Sequence, residues 1–139
     1  MGVLARLFGA EAGTADDPST GDGPGLARYR HLLATAPIES IEQAHAEVFG
    51  GLHESQRAAI YEELSRGSGT GERPLSSEPA TLARSASRAE RRIPGSLERA
   101  LRDADDRGGF GGSLLDPVVD QVARSPLVSA FLPWRDRMP

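Results

Sequence analysis

Between Pro37 and Gly67 two runs with helical spacing are divided by a pair of glycines, which limits the chain to folds that bury two adjacent helical faces. After Pro37, the residues Ile41, His45, Val48 and Phe49 recur at intervals of three and four, on one side of a helix. Gly50 and Gly51 end that run. Leu52 and His53 lead into a second run carrying Ile60, Tyr61 and Leu64, and Gly67 suits a left-handed C-terminal cap. The expected unit is an αα-hairpin over 38–49 and about 54–66, with Leu33, Ile41, His45, Val48, Phe49, Ile60 and Leu64 as core.

The flanking segments are helical as well. Leu26, Tyr29, Leu32 and Leu33 define a helix that the Ala36-Pro37 step ends, since a residue before proline is pushed out of the α region. Gln56 stands three residues after His53, the acceptor position of a capping box. From Pro79 to Arg92, Leu82, Ala86, Ala89 and Ile93 share one face while Arg84, Arg88 and Arg91 lie nearly opposite. Ser96 is the expected cap of a further helix bearing Leu97, Ala100, Leu101 and Ala104. Beyond Gly108–Gly112 an apolar segment, Leu114 to Leu132, is cut by Pro117 and Pro126 into two short helices, with Trp134 after it.

These patterns give an all-α fold class: a small irregular helical bundle, its domain at 26–106, built on the αα-hairpin. Residues 1–25 read as a short apolar head (Val3, Leu4, Leu7, Phe8) plus a disordered linker, and 67–77 as a second linker. Residues 107–139 read as a Gly-rich turn and a loosely attached apolar segment. With 26 Gly and Pro in 139 residues, the folded part is expected to be roughly 70 to 85 residues, a size at which self-association helps stability.

Composition removes several chemistries. The chain has no Cys and no Lys, so disulfides, thiolate metal sites, Schiff-base lysines and the P-loop lysine are all excluded. Gly67-Ser-Gly-Thr-Gly71 is accordingly a linker. A formal charge of -4 makes nucleic acid an unlikely partner for the chain as a whole. No apolar run approaches the roughly 18 residues that span a bilayer, and the N-terminus is too short and too weakly basic for a secretory signal, so the expected localisation is cytoplasmic.

Two halves of the chain echo one another. Leu26-Ala-Arg28 and Leu82-Ala-Arg84 are separated by 56 residues, as are Ser40-Ile-Glu-Gln-Ala44 and Ser96-Leu-Glu-Arg-Ala100. A duplication would give two similar helix-proline-helix corners, with the helix from Glu54 to Arg66 as an extra element. Residues 39–63 hold six acids against Arg57, and 80–102 hold six arginines against Glu90 and Glu98, so the two faces are suited to meet each other or a second copy.

The candidate sites are modest. Glu42 and His45 form a Glu-x-x-His step, the weak candidate for a metal, but no second such step exists to complete a di-metal bundle. No Gly-x-Ser-x-Gly elbow occurs and no cofactor is implied. Arg84, Arg88, Arg91 and Arg92 form a candidate interaction face, and Leu114, Leu115, Val118, Phe131, Leu132 and Trp134 form an apolar one.

Tyr29-Arg-His-Leu-Leu-Ala-Thr-Ala-Pro37 and Ile41-Glu-Gln-Ala-His-Ala-Glu-Val-Phe49, with Leu82-Ala-Arg84 and Pro94-Gly-Ser-Leu-Glu-Arg99, give the chain a likeness over roughly residues 26–99. It resembles a group of small helical proteins of high-GC bacteria often labelled "cation-transporting ATPase". The resemblance implies a shared helical fold. A P-type pump would need a phosphorylated Asp followed by Lys-Thr-Gly-Thr, and a chain without Lys has none. The expected function is therefore a non-enzymatic interaction protein acting by self-association or by docking an unidentified protein. Peripheral membrane association through the apolar ends is the alternative, and metal binding a remote one.

Overall fold

The computed structural model of the protein describes residues 24–67 and 73–132. Its elements are α1 (Pro24–Thr35), α2 (Ile38–Gly50), α3 (Glu54–Gly67), α4 (Pro79–Arg92), α5 (Ser96–Gly108), α6 (Leu115–Arg124) and α7 (Pro126–Ser129), with no strand among the described residues. The apolar head Val3–Phe8, most of the linker that follows it, residues 68–72 and Trp134 lie outside the described residues.

Helix boundaries follow local chemistry. Pro37 takes the N-cap of α2, and its carbonyl accepts from the Ile41 amide at 3.1 Å. The Gln56 side chain accepts from the His53 amide at 2.9 Å, closing the expected capping box at the start of α3. Pro79 begins α4 and Pro126 begins α7, where a missing N–H costs nothing. Pro117 sits in the first turn of α6 for the same reason, so two short helices form as the prolines predict.

One cap differs. Ser96 is the expected cap of α5, but Gly95 occupies that place with φ at 93°, and the Ser96 hydroxyl is buried without a partner. The acceptor comes from the preceding helix: the buried Glu90 carboxylate takes the Gly95 amide at 3.0 Å and the Leu97 amide at 3.0 Å. A carboxylate placed there satisfies orphan donors and meets the positive end of the helix dipole. Asp105 acts in the same way at the end of α5, accepting from the Gly112 amide at 3.1 Å and the Leu115 amide at 3.3 Å.

The core contains every residue expected of it. Leu33, Ile41, His45, Val48, Phe49, Ile60 and Leu64 are buried, joined by Tyr29, Leu32, Leu82, Leu97 and Leu101. Each large side chain removed from water contributes about 1.5 to 3 kcal/mol before entropy is counted. α2 lies along α4, whose buried face of Ala83, Ala86 and Ser87 lets the helices come close. A Cβ at Gly50 would stand 4.0 Å from the Pro79 ring.

The apolar C-terminal segment, expected to hang loosely outside the body, is buried within the core. Leu114, Val118, Val122 and Val128 are wholly enclosed, α6 packing on α1 and α2 and α7 on α2. The stripe at 114, 118 and 122 is too narrow to reveal its neighbour, and α1 supplies the cover. The helix from Glu54 is not an extra element either, because α6 is its counterpart. α3 packs on α4 and α5, and α6 packs on α1 and α2, so each third helix covers the first two of the other half. At the 56-residue offset, Leu26/Leu82, Ile41/Leu97, His45/Leu101, Val48/Ala104 and Phe49/Asp105 are all buried.

Candidate functional site

The polar chemistry of the interior is consumed internally. His45 Nδ1 donates to the Ile41 carbonyl at 2.8 Å, which leaves Nε2 to accept from the Tyr29 hydroxyl at 2.9 Å. Burial lowers the imidazole pKa to about 4, partly offset by the bond to Ile41, and the ring stays neutral. Burial pushes the Tyr29 hydroxyl well above its usual value, with Glu90 and Glu98 adding to it. With both ring nitrogens of His45 engaged and Glu42 outside that network, the Glu42–His45 step offers no metal-ligand pair. Among the described residues no group of three or more His, Asp and Glu side chains is placed to hold a metal ion.

The apolar candidates are largely sequestered. Leu114, Val118 and Leu132 are buried and cannot form an interaction face, and Leu115 is half-buried against the core. Among the described members of that set, Phe131 is the exposed one, at 40%.

The α4 arginines do not act as one patch. Arg91 donates to the Ala36 carbonyl, capping the C-terminal end of α1. Arg92 lines a groove with Glu63, Ile93 and Asp103 and is itself engaged. Arg84 and Arg88, one turn apart, line a different cleft together with the segment Arg73-Pro74-Leu75. This cleft encloses about 340 Å³. Thr81 lines it, Pro74 anchors the segment by being buried, and Leu75 is 94% exposed.

Several surface charges are paired off elsewhere. Glu98 takes both Arg30 (2.9 Å) and Arg102 (2.7 Å), Glu63 takes Arg107, and Asp120 takes Arg124 at 3.3 Å. The Arg30 hydrogen bond, followed by that of Arg102, holds the Glu98 carboxyl at about 2 against the desolvation that opposes it. Arg73, Arg84 and Arg88 enter no ion pair among the described residues, as is also true of Arg66 and Arg99, but the three share one cleft that no acid among the described residues lines. Of the acids in 39–63, Glu63 pairs with Arg107, which lies outside the basic stretch 80–102.

Arg73 and Leu75 fall in a stretch that reads as linker. Their signal is the break in the Gly-Ser run at Arg73-Pro74-Leu75, where a proline and a large apolar side chain replace small polar residues. Comparison with family models, with curated proteins and with solved structures finds no match.

Proposed function

We propose that the protein is a non-enzymatic helical interaction protein that docks a partner at the cleft between α4 and Arg73-Pro74-Leu75. The observation that carries this reading is the group of three exposed arginines that pair with no acid among the described residues, set beside an almost fully exposed leucine in one cleft. Exposed charge left unneutralised in a concave site favours a partner that completes it. Support against a catalytic role comes from the interior: the Tyr29–His45 pair, Glu90 and Asp105 each have structural partners that occupy them. No helix among the described residues is long and apolar enough to cross a membrane. Peripheral membrane contact draws no support from α6 and α7, whose apolar side chains the body already covers. A chain without Cys is compatible with a reducing compartment, and we place it in the cytoplasm.

The test is quantitative affinity purification from the native host with the full chain and with R84Q/R88Q. Docking at this cleft predicts a set of proteins retained by the former and lost with the latter, while the two variants keep the same circular dichroism and melting temperature. Identical retained sets would remove the cleft as the docking site.

A further inference from the structure

The chemistry of the cleft also constrains what enters it. We infer that the occupant is an acidic peptide segment of a partner protein, with two or more neighbouring carboxylates beside one apolar side chain. This rests on the docking reading above and deepens it.

Three features select that occupant. Arg84 and Arg88, four residues apart on α4, and Arg73 from the preceding segment all line the cleft, so it carries guanidinium groups from two segments of the chain. Arginine matches a carboxylate with a planar fork of donors, and an unpaired set of three calls for more than one acid. Leu75 stands 94% exposed on the rim of the same cleft, where a partner's apolar side chain can cover it. Finally, the site is concave and about 340 Å³, which admits a few side chains. A bilayer is flat, and an anionic surface would contact the rim arginines without reaching the interior. Single-stranded nucleic acid needs aromatic platforms, and no aromatic among the described residues lines this cleft.

The fit is electrostatic and mostly solvated, so affinity is modest, with a dissociation constant on the order of 100 µM at low salt. The experiment is a titration of the 15N-labelled full chain with a synthetic dodecapeptide rich in Asp and Glu around a central Leu, followed through amide and arginine Nε–Hε resonances. We expect saturable shifts at Arg73, Arg84 and Arg88 and in the amides from Leu75 to Arg88. R84Q/R88Q should weaken binding at least fivefold, Leu75→Ser by a smaller factor, and Arg99→Gln, in another groove, not at all. The unperturbed resonances of each variant report that the fold is intact. Raising the salt from 50 to 300 mM should weaken the wild-type interaction severalfold.

The inference is overturned if the three arginines do not shift, if shifts spread evenly over all arginines, or if the Asn/Gln version of the peptide binds equally well. Tighter binding of single-stranded DNA or phosphatidylglycerol vesicles through the same arginines would also overturn it, assigning the cleft to another polyanion. Where the peptide fails but host proteins are still lost with R84Q/R88Q, only the nature of the occupant is wrong. Where both fail, the docking reading falls with it.

Discussion

Phe49 in α2 and Asp105 in α5 hold matching places in two three-helix units, and both are buried, yet one is an aromatic ring and the other a carboxylate. The first unit, α1 to α3, is built from large side chains: Tyr29 and Phe49 flank the His45 ring, with centroids 5.7 Å apart in each pair. The second, α4 to α6, is built from alanines, leucines and valines and is tied at its corners by Glu90 and Asp105, each reaching the start of the next helix. One half is held by packing and the other by buried caps. The lesson is that a repeated helical outline does not require repeated chemistry, provided each corner has its donors satisfied.

The sharpest way to break this contrast is Phe49→Asp. Removing a wholly buried ring costs about 3 to 5 kcal/mol, and an unpaired carboxylate in its place costs more. Against a typical total of about 5 to 15 kcal/mol, the variant should be largely unfolded, read as loss of a cooperative melt and earlier elution in gel filtration. Ile60→Asp should behave likewise. A variant that melts and elutes as wild type would show that the ring cluster does not hold the first unit.

Acid offers a reversible version of the same test. His45 titrates at about 4 in the folded chain but near 6.5 when unfolded, so between those values the unfolded state binds the extra proton. Stability is complete above about pH 6.5 and falls as pH drops toward 4, by about 3 kcal/mol in all. His45→Leu, which copies Leu101 at the matching place, should flatten that acid slope in urea titrations. It should also cost about 1 to 3 kcal/mol at neutral pH, because the Tyr29 hydroxyl loses its acceptor. An unchanged slope would assign the acid sensitivity to another group.

In the second unit the corresponding probes are Glu90→Ala and Asp105→Ala. Each removes a carboxylate that holds two backbone amides, and we expect about 2 kcal/mol of destabilisation from each. Hydrogen exchange should accelerate first at Gly95 and Leu97 for the former, and at Gly112 and Leu115 for the latter. Global acceleration without a local excess would mean that these groups act through packing rather than as caps.

Much of this could be read from residue spacing and some could not, for physical reasons. Periodicity and proline placed all six longer helices, because Pro37, Pro79, Pro94 and Pro126 mark boundaries by steric necessity. The core residues followed from the same stripes. The fate of Leu114, Val118 and Leu132 did not, because an apolar stripe states that something must cover it and not what. The capping by Glu90, which the sequence shows only as an acid among arginines, and by Asp105, which carries no signal there, was not legible either, since their amide partners become neighbours only once a chain reversal is made. The arginine cleft was half visible. Arg84 and Arg88 stood out on one helical face, but Arg73 and Leu75 belong to the site only through the fold.

The smallest effect tests the seam between the units. α1 and α5 meet through Arg30 and Glu98, a two-point contact at 2.9 Å for each bond. Because Glu98 also binds Arg102 within its own helix, losing Arg30 leaves the carboxylate with one partner. Arg30→Ala should therefore cost only about 0.5 to 1 kcal/mol at neutral pH. Its clearer signature is in titration: the Glu98 carboxyl, held at about 2 with Arg30 present, should rise toward 4.5 without reaching it, as followed by the carboxyl carbon resonance. A carboxylate depressed by its partners stabilises the fold above its unfolded value and loses that contribution as pH falls through the folded one, here between 4.5 and 2. This window lies below most of the His45 range, so two separate acid steps are expected in wild type, and Arg30→Ala should erase some of the lower one alone. If it moves the upper step instead, the seam and the ring cluster are one cooperative element, and the division into a packed half and a capped half is too sharp.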